Sequence, residues 1–216
     1  MRESVMPMNV RWISLLTVVA LFMLAGGCSS TPEKPDEGPA AGPSGSDAQS
    51  GKAGGPSEAA EGETVTKYDL NHDKKPDVWA YHGELADPQN PGKTKKGIIR
   101  KEWDLNFDGK IDIKQFFDYK GRLVKDWIDF DFDGIFDAIT YYKDGKKVRQ
   151  EINYDTDEQP ECFKYFEKGK LVRVERDRDS NGKIDQWEYY KDGKLDRIGK
   201  DEDGDGEIDK WVQQEQ

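Results

Sequence analysis

The chain is poor in the residues on which most enzyme chemistry depends. It holds 2 histidines and 2 cysteines in 216 residues. His72 and His82 both stand in the least regular part of the sequence. No Ser/His/Asp set, zinc ligand set or glycine-rich phosphate loop accompanies them. The abundant aspartates recur at matching positions, which argues against one unique acid–base pair and for a protein that is not an enzyme. A glycosidase would need only one odd carboxylate in a cleft, and composition leaves room for that alternative. Positive charge is the minority: 33 Lys and Arg stand against 44 Asp and Glu, for a net charge of −11. Such a balance excludes nucleic acid as the expected partner, because phosphate contacts dominate that kind of binding. The Lys and Arg that are present gather near Gly turns, as in "KDGKKVR" and "KGKLVRVERDR". They read as solvated strand ends, with a polyanion-binding edge as the lesser reading. Long apolar runs are also missing, with one exception near the start of the chain.

That exception is "WISLLTVVALFMLAGG", residues 12–27, preceded by Arg2 and Arg11 and followed by Cys28. A positive n-region, a short h-region and small residues before a cut site mark an export signal over residues 1–27. The run is shorter than the roughly 20 residues a bilayer span needs. "LAGGC" followed by Ser29 resembles the lipobox of bacterial lipoproteins, with Ala25 where Leu is usual. The resemblance implies cleavage before Cys28 and acylation of Cys28, hence a membrane partner through a lipid anchor. Ser29 in place of Asp implies the outer membrane of the bacterial cell envelope. With Cys28 lipidated, Cys162 has no intrachain partner and is expected to be a small packing residue rather than a reactive thiol.

Residues 28–63 continue from that cysteine into Pro, Gly, Ser, Ala and charges, with no aromatic and no branched aliphatic side chain after Cys28. Such a segment cannot offset its ordering entropy by apolar burial, so a disordered tether is expected. Its end-to-end distance would be roughly 33 Å.

Residues 64–216 are built differently. Six acidic stretches recur: "DLNHDKKPD" from 69, "DLNFDGKID" from 104, "DFDFDGIFD" from 129, "NYDTDEQPE" from 153, "DRDSNGKID" from 177 and "DEDGDGEID" from 201. Their starts are 35, 25, 24, 24 and 24 residues apart, the long first gap holding the insertion "ELADPQNPGKTKK". A fixed period of this length signals a repeat architecture. Between the acidic stretches come "FFDYKGRLV", "YYKDGKKV", "YFEKGKLV" and "YYKDGKLD". Aromatic residues running into a Lys/Asp-Gly turn and out to an aliphatic one are a hairpin signature. Every second residue after the ninth loop position is bulky: Trp79 and Tyr81, Ile139 and Tyr141, Phe163 and Tyr165, Trp187 and Tyr189. The second repeat departs, with Lys114 in the aromatic position. The expected fold is all-β: an up-and-down meander of about twelve short strands in six units, solenoid-like or gently closed. Acidic loops should line one end and Gly turns the other, and the sixth unit, cut short after its loop, should act as a cap.

In each loop, carboxylates or amides at positions 1, 3, 5 and 9 can converge if the backbone turns sharply at position 6, where glycine tolerates left-handed dihedrals. Oxygen donors without histidine or thiolate suit calcium better than zinc. Without a cation the carboxylates repel, at about 1 kcal/mol per pair at 4 Å in water and about 4 at an effective dielectric of 20. The candidate metal ligands are Asp69, Asn71, Asp73 and Asp77; Asp104, Asn106, Asp108 and Asp112; Asp129, Asp131, Asp133 and Asp137; Asp177, Asp179, Asn181 and Asp185; and Asp201, Asp203, Asp205 and Asp209. Asn153, Asp155, Asp157 and Glu161 form a weaker set. Gly109, Gly134, Gly182 and Gly206 keep the turn residue, whereas Lys74 and Glu158 replace it, so four competent sites and two weak ones are expected. The other reading is that these are metal-free Asx turns.

The first half of each loop resembles the EF-hand pattern, but position 12 is Ala80, Gln115, Thr140, Lys164, Glu188 and Val212, so only the fifth loop has the glutamate. Aspartate at position 9 followed by a strand is similar to the calcium loops of FG-GAP propellers and thrombospondin type 3 repeats. The "YYKDGKL" hairpins resemble MORN repeats. These resemblances imply several structural calcium ions and identify no ligand. The resulting expectation is a non-enzymatic, calcium-stabilised envelope lipoprotein that serves as a structural or binding module for an unknown envelope protein or glycan. The alternatives are a subunit of a cell-surface or motility assembly, and a metal-free repeat whose aromatic face binds glycans or proteins.

Overall fold

The computed structural model of the chain describes residues 52–155 and 159–213. The export signal, Cys28, the first part of the tether and Asp157 lie outside the described residues. Alternation of bulky and polar residues produces twelve strands, and no helix forms among the described residues. They are β1 (Thr64–Tyr68), β2 (Val78–Ala86), β3 (Thr94–Trp103), β4 (Ile113–Phe117), β5 (Leu123–Ile128) and β6 (Ala138–Lys143), followed by β7 (Lys146–Ile152), β8 (Cys162–Glu167), β9 (Lys170–Arg176), β10 (Gln186–Lys191), β11 (Lys194–Lys200) and β12 (Lys210–Gln213). All are antiparallel neighbours in one sheet, ordered β1 to β12 without a crossover. The sheet is open: β1 pairs only with β2 and β12 only with β11, so the gently closed alternative does not hold.

Every acidic loop joins an odd strand to the following even strand, and every Gly turn joins an even strand to the following odd strand. The two loop types therefore lie at opposite ends of the meander. At the turn end, Asp144-Gly145, Lys168-Gly169 and Asp192-Gly193 all have positive φ, at 52° and 74°, 51° and 83°, and 51° and 81°. Two consecutive left-handed residues make the type I′ turn that matches strand twist. In every hairpin the register slips by one residue, at Tyr81/His82, Phe116/Phe117, Tyr141/Tyr142, Tyr165/Phe166 and Tyr189/Tyr190. The bulge thus repeats with the sequence period, as a designed feature of each unit.

Register places two rows of side chains on one face. The row nearer the acidic loops runs Trp79, Glu102, Lys114, Trp127, Ile139, Glu151, Phe163, Glu175 and Trp187. The second row runs Tyr81, Arg100, Phe116, Lys125, Tyr141, Arg149, Tyr165, Arg173, Tyr189 and Arg197. Aromatic and cationic residues alternate strand by strand, and the cations stack on the rings: Arg100 lies 3.7 Å from the Tyr81 centroid, Arg173 4.3 Å from Tyr165 and Arg197 4.7 Å from Trp211. Each such contact contributes about 0.5–1 kcal/mol where exposed and more where desolvated.

The tether boundary requires correction. Residues 52–63, expected to be disordered, form a strap across the first half of this face. Ala53 donates its N–H to the Gly134 carbonyl at 2.6 Å, and Ile111 donates to Gly54 at 3.0 Å. The N–H and hydroxyl of Ser57 both donate to Glu102, at 2.8 and 2.6 Å. The strap closes the core of the molecule, in which Ala53 packs with Trp79, Tyr81, Ile111 and Phe136, flanked by Val65, Ile99 and Trp127. Full burial of one such large side chain is worth about 1.5–3 kcal/mol. Lys114, the departure from the aromatic pattern, has its Nζ 3.4 Å from the Ser57 hydroxyl and 3.8 Å from Glu102, so it serves the strap. Val78, Ala80, Ala138, Thr140 and Val174 are buried on the opposite face, and Cys162 is a fully buried free thiol there.

Candidate metal centres in the acidic loops

The acidic loops are built by their own side chains. The position 1 carboxylate caps the turn: Asp104 accepts from Asp108 and Gly109 N–H at 3.2 and 2.8 Å, and Asp129 from Phe132 and Gly134 at 2.8 and 2.9 Å. Asp177 and Asp201 do the same with Gly182 and Gly206 at 2.6 and 2.7 Å. The position 3 oxygen accepts from position 5, as in Asp73 N–H to Asn71 at 2.9 Å and Asp205 N–H to Asp203 at 3.1 Å. The position 5 oxygen accepts from position 7, as in Lys110 to Asp108 and Ile135 to Asp133, both at 2.8 Å. The position 9 carboxylate reaches back to the N–H of position 2, as in Leu70 to Asp77 at 2.7 Å and Glu202 to Asp209 at 2.8 Å. These Asx-type bonds leave other carboxylate lone pairs free to take a cation.

In the five loops whose positions 4 and 6 are described, both residues are left-handed. At position 6, Gly109, Gly134, Gly182 and Gly206 have φ of 89°, 95°, 84° and 92°. Lys74 takes the same conformation at 74°, so the first loop folds like the others without its glycine. Position 4 is also left-handed, at His72, Phe107, Phe132, Ser180 and Gly204, with φ of 64°, 65°, 63°, 54° and 80°. Only the last of these has a residue type that announces it.

The loops are also chained. The N–H of each position 1 residue donates to the carbonyl of position 9 in the loop before: Asp104 to Asp77, Asp129 to Asp112, Asn153 to Asp137, Asp177 to Glu161 and Asp201 to Asp185, at 2.8–3.0 Å. Positions 1 and 9 are therefore drawn inward, and Asp77, Asp104, Asp112, Asp129 and Asp177 are buried, while positions 3 and 5 face outward.

Among the described residues, three triads emerge in which one oxygen from each residue lies within 4.8 Å of the other two: Asp129, Asp131 and Asp137; Asp177, Asp179 and Asp185; Asp201, Asp203 and Asp209. Oxygens on opposite sides of a calcium ion stand about 4.6–5.2 Å apart, given bond lengths of 2.3–2.6 Å, so one ion fits each triad. These acidic clusters can hold metal ions. The position 5 residues Asp133, Asn181 and Asp205 stand outside the triads; Asp133 and Asp205 are turned toward the N–H of position 7, and the Asn181 amide donates to Asp179 at 3.0 Å. The second loop brings Asp104 and Asp112 together with an amide, Asn106, in place of the third carboxylate, and Asp108 beyond. The first offers Asp69 and Asp77 with Asn71, and Asp73 beyond. In the fourth, Asn153 is buried, Asp155 donates to it at 2.9 Å, and Glu161 accepts from Tyr154 at 2.8 Å.

Electrostatics follow burial. Desolvation, reinforced by Asp104 and Asp108, pushes Asp112 above the ordinary carboxyl range against the N–H bonds from Leu105 and Asn106. Asp129 is raised likewise by desolvation, with Asp137 and Asp133 adding to it. Asp201 experiences some desolvation, but the N–H groups of Gly206 and Gly204 outweigh it and hold its carboxyl low. The sites in the strapped half thus hold carboxylates that resist ionisation, which a cation would relieve.

No protein-family model and no curated protein sequence matches the chain. Among solved structures, one likeness is to a complex of accessory secretory proteins 1, 2 and 3 of Streptococcus pneumoniae. It has a TM-score of 0.36 and 18% identity over 57% of this chain, and spans 20% of that chain.

Reading the residues in order missed two things of functional weight. One is the strap, whose composition gives no sign of packing. The other is a repeated Arg-x-Glu on odd strands, "RKE" at 100–102, "RQE" at 149–151 and "RVE" at 173–175. That signal was visible as a strand-periodic motif.

Proposed function

We propose that the chain is a non-enzymatic lipoprotein of the bacterial outer membrane, anchored through Cys28, whose repeat domain is a structural or binding module stabilised by several calcium ions. The observation that carries the calcium reading is the recurrence of one oxygen triad, at positions 1, 3 and 9, in three separate repeats. All donors are hard oxygens, which favours calcium over zinc or copper. The same carboxylates recur as parts of the loop scaffold, which supports a structural role over acid–base catalysis. Bound cations would join the folding equilibrium, each stabilising the native state by RT ln(1 + [Ca]/Kd). The lipid anchor rests on "LAGGC" and the preceding apolar run.

The test is a calcium titration of the full chain after chelation, followed by calorimetry and tryptophan fluorescence. Trp79, Trp187 and Trp211 each lie two residues beyond a position 9 aspartate and should report it. Saturable heat at micromolar to millimolar calcium, with magnesium weaker, is expected. A chain with no calcium heat and an unchanged melting curve in chelator would overturn the metal reading. Labelling by radioactive palmitate, lost in Cys28→Ser, tests the anchor separately.

A further inference from the structure

The strap shows how this sheet face binds a peptide. Tyr81, Arg100 and Glu102 act together as a clamp. Glu102 takes the N–H and hydroxyl of Ser57, and the Tyr81 hydroxyl sits 2.6 Å from the Ser57 carbonyl and 3.0 Å from Glu102. Arg100 holds both oxygens of Glu63, at 3.0 and 2.9 Å, and the Glu58 carbonyl at 3.2 Å. The clamp thus recognises an extended segment with a hydroxyl residue and, six positions later, a carboxylate.

The same three side chains recur on β8 and β9 in the same register. Tyr165 pairs with Arg173 and Phe163 with Glu175, as Tyr81 pairs with Arg100 and Trp79 with Glu102. The Tyr165 hydroxyl donates to Glu175 at 2.8 Å, and Arg173 stacks on Tyr165 at 4.3 Å. Beside them runs an open groove of about 610 Å³ whose lining includes Tyr165, Glu175 and Ile184 together with Arg149, Glu161 and Asp177. Ile184 occupies the loop position of Ile111, whose N–H binds the strap at Gly54. Strands here contact only their sequence neighbours, and the strap's hydrogen bonds to Gly134, Ile111, Glu102 and Arg100 fall on the other half of the face. Arg149, itself paired with Glu151 at 3.1 Å, and Arg197 flank the clamp in the same row, and a ligand carboxylate is assigned to Arg173 by analogy with Glu63 on Arg100.

We propose that Tyr165, Arg173 and Glu175 form a second peptide clamp, which binds an extended acidic segment of another protein carrying a Ser-x5-Glu pattern. The inference goes beyond the calcium reading and rests on other side chains, although the groove borders the fifth acidic loop at Asp177 and Asn181; peptide anisotropy reports the clamp and calcium heat reports the loops, so the two failures are distinguishable. The probe is a fluorescent peptide of the strap sequence, AGGPSEAAEGETV, titrated with the full chain and followed by anisotropy. Saturable binding is expected, weakened about tenfold or more by Glu→Gln at the peptide position matching Glu63, since a charge-assisted bond is lost. Arg173→Ala in the protein should weaken it similarly, with circular dichroism unchanged. The peptide variant leaves the protein fold untouched and keeps the test valid if Arg173→Ala unfolds. Absence of saturable binding at millimolar protein, or equal binding of both peptides, overturns the proposal. Loss of binding by Arg100→Ala but not by Arg173→Ala overturns it too, because the probe would then be displacing the strap. Binding of oligogalacturonate in place of the peptide would assign the face to an acidic glycan and overturn it as well.

Discussion

At the scale of single residues, the acidic loops set backbone strain against side-chain capping. Phe107 sits at φ 65° and is half exposed, so its ring recovers little of the strain of a left-handed conformation. Phe107→Asn should therefore stabilise the protein by about 0.5–1 kcal/mol, read from urea denaturation. Gly109→Ala should do the reverse, by about 1 kcal/mol, and through dihedral strain alone, because an added Cβ there meets nothing within 4 Å. Position 6 was legible in the sequence because glycine marks it four times. Position 4 was not, because Phe, His and Ser carry no left-handed signature and are placed there by the cap from position 1. A pH effect belongs here too. Asp112 and Asp129 bind protons more tightly when folded than an ordinary carboxyl does, chiefly through desolvation. In chelator, the stability they contribute is therefore greatest below the unfolded value of about 3.9 and is lost as pH rises through their raised folded values. Calcium binds the ionised form and should invert that slope, which melting curves across pH 3.5–6 with and without calcium would reveal.

At the scale of elements, the hairpins and the strap differ in how far composition forecasts them. The hairpins were legible because alternation and Asp-Gly or Lys-Gly turns are local signals. The strap was misassigned to the tether because it has no branched aliphatic or aromatic residue. Its order comes from backbone hydrogen bonds, from Ala53 being small enough to fit over Ile111 and Phe136, and from the carboxylate of Glu102. Glu102 is 1% exposed and faces Ser57, Tyr81, Arg100 and Lys114. Glu102→Gln keeps the shape but removes the charge that collects these donors, and should cost about 1–3 kcal/mol. Limited proteolysis should then cut within 52–63 before it cuts the sheet. A fragment beginning at residue 62 would lack the strap and expose Trp79, Tyr81 and Phe136, so it is expected to melt lower than the full chain and to bind a hydrophobic dye.

At the scale of the molecule, the meander is quasi-one-dimensional, since each strand contacts only its sequence neighbours. Stability then resembles a sum of unit and nearest-neighbour contributions, without a single cooperative core. The up-and-down order of about twelve strands was legible from the 24-residue period, whereas the choice between an open and a gently closed sheet was not. The uneven distribution of burial was not, because it depends on where the strap lies. The strapped units hold the buried cluster of Trp79, Tyr81, Ile111 and Phe136, whereas every residue of β12 is exposed and Asp209 is exposed in the last loop. The last units have little apolar packing to replace the order a cation would give them. Chelation should thus unfold the molecule from the β12 end inward. Hydrogen exchange in chelator should show protection lost first across β10–β12 and retained longest in β2–β6. The pair Asp201→Asn and Asp209→Asn should reproduce the loss in β11 and β12 at saturating calcium while leaving β2–β6 protected. Uniform loss across all twelve strands would instead show that the loops are coupled through their chained backbone bonds into one cooperative array, and that the metal sites act on the sheet as a whole.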